Sequence, residues 1–304
     1  VHIVVNASRL GLGHAVCCMH PRDGRVFFTI PWGEQTYIGT TDTDFDGDPG
    51  DVYASADDIV YLLEATSVYF PDCQLTEDDI VSTWAGVRPL VGDEEADEES
   101  NVSREHLLIV EPDGVLTIAG GKLTTYRKMA EEVVDKATDL LEKRGFGLGG
   151  LTAPETDLNS LVGAVGWPEV GGREVVAKTI HTTAEGHLTE ATALLLAGTL
   201  GMRGINLAEQ VAAEPLLAEP LIQGRNEVLG LVDWAVEQEF AATVCDVMMR
   251  RTQLYYRDAD QGLGAVNAVG NRMAHLLGWS DEERDRHVSD YRHEVERSRR
   301  WQSE

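Results

Sequence analysis

Positive charge is what this sequence has least of. Lysine and arginine together number 25 against 52 aspartates and glutamates, a formal net charge of −27 over 304 residues. A protein that grips nucleic-acid phosphates needs the opposite balance, so nucleic acid is excluded as a partner. The acids are spread along the whole length, which reads as a solvated coat suited to high salt rather than one acidic binding surface. Cysteine is also scarce. Cys17, Cys18, Cys73 and Cys245 form no ligand spacing, which argues against a zinc site or a disulfide framework. They read as reduced cytosolic thiols packed as small hydrophobes. No uninterrupted run of 18 or more apolar residues occurs, so no stretch is expected to cross a membrane as a helix.

A dinucleotide fingerprint is missing as well. Gly11-Leu-Gly13 lacks the third glycine, a preceding βαβ unit and an acidic residue some twenty positions on. Thr40-Thr-Asp-Thr-Asp44 and Asp46-Gly-Asp48 miss the spacing of an EF-hand loop and read as polar turns. The chain opens Val-His-Ile-Val-Val, already a strand and without Met, as though a domain began earlier.

What is present falls into two kinds of pattern. In residues 1–150 the runs Val26–Ile30 and Thr36–Thr40 flank the turn Trp32-Gly33-Glu34, a hairpin signature, and Leu107–Val110 faces Val115–Ile118 across Pro112-Asp-Gly114. Ser55-Ala-Asp-Asp58 predicts a capped helix with Ile59, Leu62, Leu63, Thr66 and Phe70 inward, stopped by Pro71. Ile80–Trp84 predicts another strand, and Tyr126, Met129, Ala130, Val133, Ala137, Leu140 and Leu141 recur at helical spacing. Past residue 150, Ala, Leu, Glu and Val dominate and β-rich runs vanish. Helices are predicted over Glu227–Tyr255 (the longest), Val266–Leu277 and Glu283–Trp301. The fold class expected is α+β: a mixed β-sheet region, 1–150, followed by an all-helical domain, 151–304.

Three cations in the first half stand out against the acidic background. Arg88 follows a strand, Arg104 precedes one, and Lys122 follows the paired glycines Gly120 and Gly121. Cations at element ends suit a small dianion such as a phosphate, or simply neutralise neighbours such as Asp93 and Glu105. The junction Thr117-Ile-Ala-Gly-Gly-Lys-Leu-Thr-Thr-Tyr-Arg127 joins a β run to a helix. It would aim backbone N–H groups at an anion or at the electron-rich edge of a cofactor. The plainer alternative is a tight turn with a surface lysine. His2 is either a satisfied, partly buried histidine or a base working near neutral pH. His181 and His187 match no metal pattern.

Taken together, Ile30-Pro-Trp32, Ile38-Gly-Thr-Thr-Asp42, Gly47-Asp-Pro49, Ser82-Thr-Trp-Ala-Gly-Val-Arg-Pro-Leu90, Val102-Ser-Arg-Glu105 and Ile118–Arg127 make a pattern. In them the chain resembles the FAD-dependent glycerol-3-phosphate dehydrogenases. Met249-Arg-Arg-Thr252 and Leu277-Gly-Trp279 are similar to that family's C-terminal domain. The resemblance implies FAD as cofactor and oxidation of sn-glycerol 3-phosphate to dihydroxyacetone phosphate. Electrons would pass to quinone or an electron-transfer subunit. It implies Arg88, Arg104 and Lys122 around the substrate phosphate, with His2 and Lys122 at the reacting centre. Gly120, Gly121, Lys122, Leu123 and Thr124 would lie against the flavin. Residues 1–150 would then be a substrate-binding and partial FAD-binding region, an incomplete FAD-binding fold, since the family's Gly-x-Gly-x-x-Gly unit is not among the 304 residues. A cytoplasmic protein, peripheral on the inner membrane face or self-associating, is the matching expectation. Two alternatives stay open: a non-catalytic remnant that binds a partner, and a flavin oxidase of another substrate.

Overall fold

The computed structural model describes residues 1–88, 105–152 and 154–304. The first element, β1 (His2–Asn6), is an interior strand of a five-stranded sheet of order β2-β3-β4-β1-β5, with β2 Val16–Met19, β3 Val26–Trp32, β4 Gln35–Gly39 and β5 Ile80–Trp84. Every pairing in it is antiparallel. The β3–β4 hairpin forms where expected, with Gly33 at φ 66° in its turn. A four-residue helix, α1 (Ala7–Leu10), interrupts the β-rich opening.

Alternation along β1 and β4 puts Ile3, Val5 and Ile38 on one face. There they meet Ile59, Leu62 and Ala65 of α2 (Ala56–Tyr69) in one core cluster. Ser55 caps α2, and Ser55 and Asp58 form a full capping box, as their spacing predicts. Burying each large aliphatic chain there contributes about 1.5–3 kcal/mol before entropy.

The helical part begins with α4 (Gly172–Thr183), α5 (Glu190–Leu200), α6 (Gly204–Ala213) and α7 (Gly230–Glu239) around one core. A second core joins α7 to α8 (Leu254–Arg257), α9 (Val266–Leu277) and α10 (Asp281–Ser298). The single helix expected over Glu227–Tyr255 is broken. Phe240 adopts φ 58° and is 90% exposed, ending α7, and Asp246–Arg251 forms a π-helical turn before α8. The reason is local: Asp246 accepts from the N–H groups of Ala242 (3.0 Å) and Thr243 (2.9 Å), while Thr243 Oγ1 accepts from Asp246 N (3.1 Å). That reciprocal cap starts a new turn in the middle of an unbroken apolar periodicity.

One segment differs from the expectation of no membrane-length helix. Glu190–Ala213 has the length and apolarity by composition alone. Here it is α5, a tight turn at Gly201 with φ 61°, and α6, with Leu196, Leu200, Leu207 and Val211 buried in the helical core.

Two compact units result, residues 1–86 with 163–304, and residues 87–162. Within the first, the two ends of the chain share a body. Trp301 belongs to the sheet's core together with Ile3 and Leu62. Thr83 donates to Ser298 O (2.9 Å), Ser82 to Tyr256 O (2.8 Å) and Gln35 to Arg257 O (2.9 Å). The change of composition at residue 150 therefore marks a change of secondary structure. The compact units follow long-range packing instead. The second unit contains the hairpin β6 (His106–Val110) and β7 (Leu116–Gly120), then α3 (Tyr126–Lys143).

Candidate active site

The sheet face opposite α2 carries rings. His2 pairs across β1–β4 with Gly39 and across β1–β5 with Trp84. Its imidazole stacks on the Trp84 indole at 4.7 Å and 14°, and meets Tyr37 edge-on at 6.0 Å. Trp84 in turn meets Tyr37 at 5.6 Å, Trp32 at 6.3 Å and Tyr256 of α8 at 5.4 Å. These rings are half-buried, the state in which an aromatic face is held in place and still reachable. Behind Trp84 lies a cavity of about 250 Å³ bordered by Tyr53, Met249, Tyr255, Arg250 and Glu294. Cys245 is at its edge. Burial, helped by the Glu294 carboxylate, pushes its thiol up to about 11, so it stays protonated at neutral pH.

A cation network braces the same hairpin. Arg225 binds Glu227 (3.1 Å) and Glu34 (3.1 Å), and Arg257 holds its guanidinium 5.6 Å from the Trp32 ring. Neither arginine was singled out from the sequence. The scarcity of positive charge that drew attention to Arg88 applies equally to them, and extending it past residue 150 would have found both.

In the second unit the double-glycine junction forms as its sequence predicts. Gly120 and Gly121 adopt φ 72° and 81°, where other residues are strained. A side chain at Gly121 would also collide with Met129, whose Sδ would lie 2.6 Å from the added carbon. The Lys122 carbonyl accepts from the Thr125 N–H and hydroxyl, both at 2.9 Å, closing a short turn over Leu123–Thr125. Lys122, Leu123 and Thr124 are exposed.

The N-terminus of α3 has no side-chain cap and no acid in its first turn. Arg127 and Lys128 lie there instead, both bound to Glu131 at 2.6 Å. Cations at that end oppose the helix dipole, so the end is electropositive and its first N–H groups lack side-chain acceptors. Gly120, Gly121, Lys122, Leu123 and Thr124 are thus one contiguous turn. Arg88 is exposed and belongs to the same unit. His2 belongs to the other unit. Arg104 lies outside the described residues. Among the described residues no group of three His, Cys, Asp or Glu side chains is arranged to hold a metal.

Two family profiles match the chain in succession. Residues 1–127 match the FAD dependent oxidoreductase family, and residues 154–284 match the C-terminal domain of alpha-glycerophosphate oxidase. The aerobic glycerol-3-phosphate dehydrogenase of Staphylococcus saprophyticus is 34% identical over 296 residues, covering 95% of this chain and 51% of the relative. That of Staphylococcus aureus strain USA300 is 32% identical over 98% of this chain and 52% of the relative. The chain spans about half the length of these curated relatives. The X-ray structure of the glycerol-3-phosphate dehydrogenase from Bacillus halodurans, complexed with FAD, superposes with a TM-score of 0.79. It is 30% identical and matches 97% of this chain and 56% of its own. In sequence and in fold the chain is similar to FAD-dependent glycerol-3-phosphate dehydrogenases over at least 95% of its own length, residues 1–127 matching the FAD dependent oxidoreductase family model.

Proposed function

We propose that this chain supplies the substrate-facing sheet, the flavin-ring turn and the helical domain of an enzyme that oxidises sn-glycerol 3-phosphate to dihydroxyacetone phosphate. Electrons would pass to a quinone, in the cytoplasm at the inner face of the membrane. The observation that carries the reading is the positive-φ Gly120-Gly121 pair followed by Lys122 and a helix with no side-chain cap, in a chain similar to FAD-dependent dehydrogenases along its length. Such a turn suits FAD, because two glycines let the backbone approach a planar ring and a helix start with no acid in its first turn favours its electron-rich edge.

The turn Gly120–Thr124 would hold FAD, which would supply the acceptor for the C2 hydride of the substrate. The chain's own residues do the rest. Lys122, within the turn, stabilises negative charge developing beside the ring. Arg88 and Arg104 bind the phosphate, each able to offer paired N–H donors, and so fix C2 relative to the ring. His2 takes the proton from the C2 hydroxyl as hydride leaves, holding it on an imidazole nitrogen.

The test is direct. The purified protein is mixed with FAD under anaerobic conditions, and flavin absorbance is followed on adding sn-glycerol 3-phosphate. Bleaching that reverses with a quinone analogue is the expected result. A chain that takes up no flavin and bleaches nothing sinks the proposal in favour of a non-catalytic partner-binding module. Arg88→Ala should raise KM about a hundredfold by loss of a charge-assisted phosphate contact. An unchanged KM removes Arg88 from the site.

A further inference from the structure

The His2 imidazole is held in a slot, and the residues that build the slot do no chemistry themselves. On one side its ring crosses directly over Gly39, its cross-strand partner. A Cβ at that position would lie 2.6 Å from His2 Cγ and 2.9 Å from Nε2, inside any real van der Waals contact. Gly39 is not among the residues with positive φ. The left-handed region is therefore not what calls for a glycine there, and the space that a side chain would need is taken by the ring. On the other side the ring lies nearly parallel to the Trp84 indole, 4.7 Å away. Tyr256, at 5.4 Å, packs edge-on against Trp84 and reaches it from the helical part of the same unit. Ser82, two residues before Trp84, donates to the Tyr256 carbonyl at 2.8 Å, which ties the strand to that helix.

We infer that Gly39 and Trp84 are the positioning residues of His2, with Tyr256 bracing Trp84 from behind. Without a floor of bare backbone and a flat wall, an imidazole at the start of a strand would sample several rotamers. The slot selects one, and a base must be within hydrogen-bond reach of its proton before its basicity matters. Gly39 and Trp84 therefore act on the rate through His2 and make no contact with the phosphate. The inference rests on the proposed role of His2 as base, and its test has an arm that does not.

The experiment compares Gly39→Ala, Trp84→Leu and Trp84→Phe in the full protein with its cofactor. The His2 ring protons are assigned among the nine histidines by their loss in His2→Gln. In the native protein those protons should be shifted upfield by the indole ring beneath them. Gly39→Ala and Trp84→Leu should move them back towards free-histidine positions, and Trp84→Phe, which keeps a stacking ring, should largely preserve the shift. In turnover, the first two variants should lower kcat at least about tenfold with KM for the phosphate substrate within about twofold, and Trp84→Phe should recover most of kcat. Ring protons unmoved by Gly39→Ala and Trp84→Leu overturn the inference, and so does Trp84→Phe behaving like Trp84→Leu. Should Trp84→Leu not fold, Gly39→Ala, which adds one methyl group, decides alone. A native protein without activity whose ring protons still respond as expected removes the proposed chemistry and leaves the slot standing.

Discussion

Helices α2 and α3 look alike in sequence and differ in what they bury. Each carries apolar residues at helical spacing after a turn. Ile59, Leu62, Ala65 and Thr66 of α2 are buried against the sheet. None of the residues of α3 is buried, although Met129, Val133, Ala137 and Leu140 fall on one stripe. The contrast extends to the units that contain them. The first unit has three cores, whereas none of the described residues of the second is buried. A two-stranded hairpin with one helix is marginal without a further surface to pack on. The stripe on α3 is therefore written for burial that its own unit does not supply. The second unit also carries the glycine turn proposed to meet the flavin. Low local stability at a ligand-binding element is expected, because binding then supplies the missing contacts.

The largest effect should separate the units by mutation. Leu62→Ala, in the core of the first, should cost about 2–5 kcal/mol. Leu123→Ala, at a residue 88% exposed in the second, should stay within about 0.5 kcal/mol. Denaturant titration of both variants measures this, and equal losses would erase the distinction. Next comes the ligand. FAD at about a hundred times its Kd should stabilise the state that binds it by about 2.7 kcal/mol. Hydrogen exchange should report that protection in α3 and leave α9 unchanged. Uniform protection of both would mean that the cofactor does not act through the second unit.

A charge-dependent step within the first unit is smaller. Partial burial alone would raise the Asp246 carboxyl. The N–H groups of Ala242 and Thr243, the Thr243 hydroxyl and Arg250 outweigh it and hold the group below its ordinary value. A depressed carboxyl stabilises the fold above its unfolded pKa, and that stabilisation is lost as pH falls through the folded value. Asp246→Asn should then cost about 1 kcal/mol at pH 7, as for a lost helix cap, and nothing once the native carboxyl is itself protonated. A stability difference that persists at low pH would assign the loss to shape and not to charge.

Local signals were legible in the sequence where neighbours along the chain decide the outcome. Ser55 and Asp58 cap α2, Gly33 turns the β3–β4 hairpin, and Gly120-Gly121 hands β7 over to α3. The break at Phe240 was missed because apolar periodicity runs through it. Thr243 and Asp246, three apart, were the signal that competes with periodicity. Contacts across some 300 residues left no local trace. Trp301, in the turn after the last helix, belongs to the same core as Ile3, so the end of the chain completes the first strand's core. Of the candidate site, the glycine turn was legible because positive φ leaves a composition signature. The slot around His2 was not, since nothing near His2 in sequence points to Gly39 or Trp84.

The smallest prediction bears on why α3 begins without a cap. An acid at that end is the ordinary way to satisfy the first N–H groups, and α2 and α10 use one in their capping boxes. Thr125→Asp would place a carboxylate at the start of α3 and should stabilise the unliganded protein by about 0.5 kcal/mol through the helix dipole. The same carboxylate would compete with the electron-rich edge of the cofactor for those N–H groups and repel it. Affinity for FAD, followed by fluorescence titration, should fall about tenfold as stability rises slightly. A variant that gains stability and binds FAD unchanged would show that the open helix end faces something else. Opposite signs in the two measurements would mean that the second unit gives up local stability to keep its helix end available for a ligand.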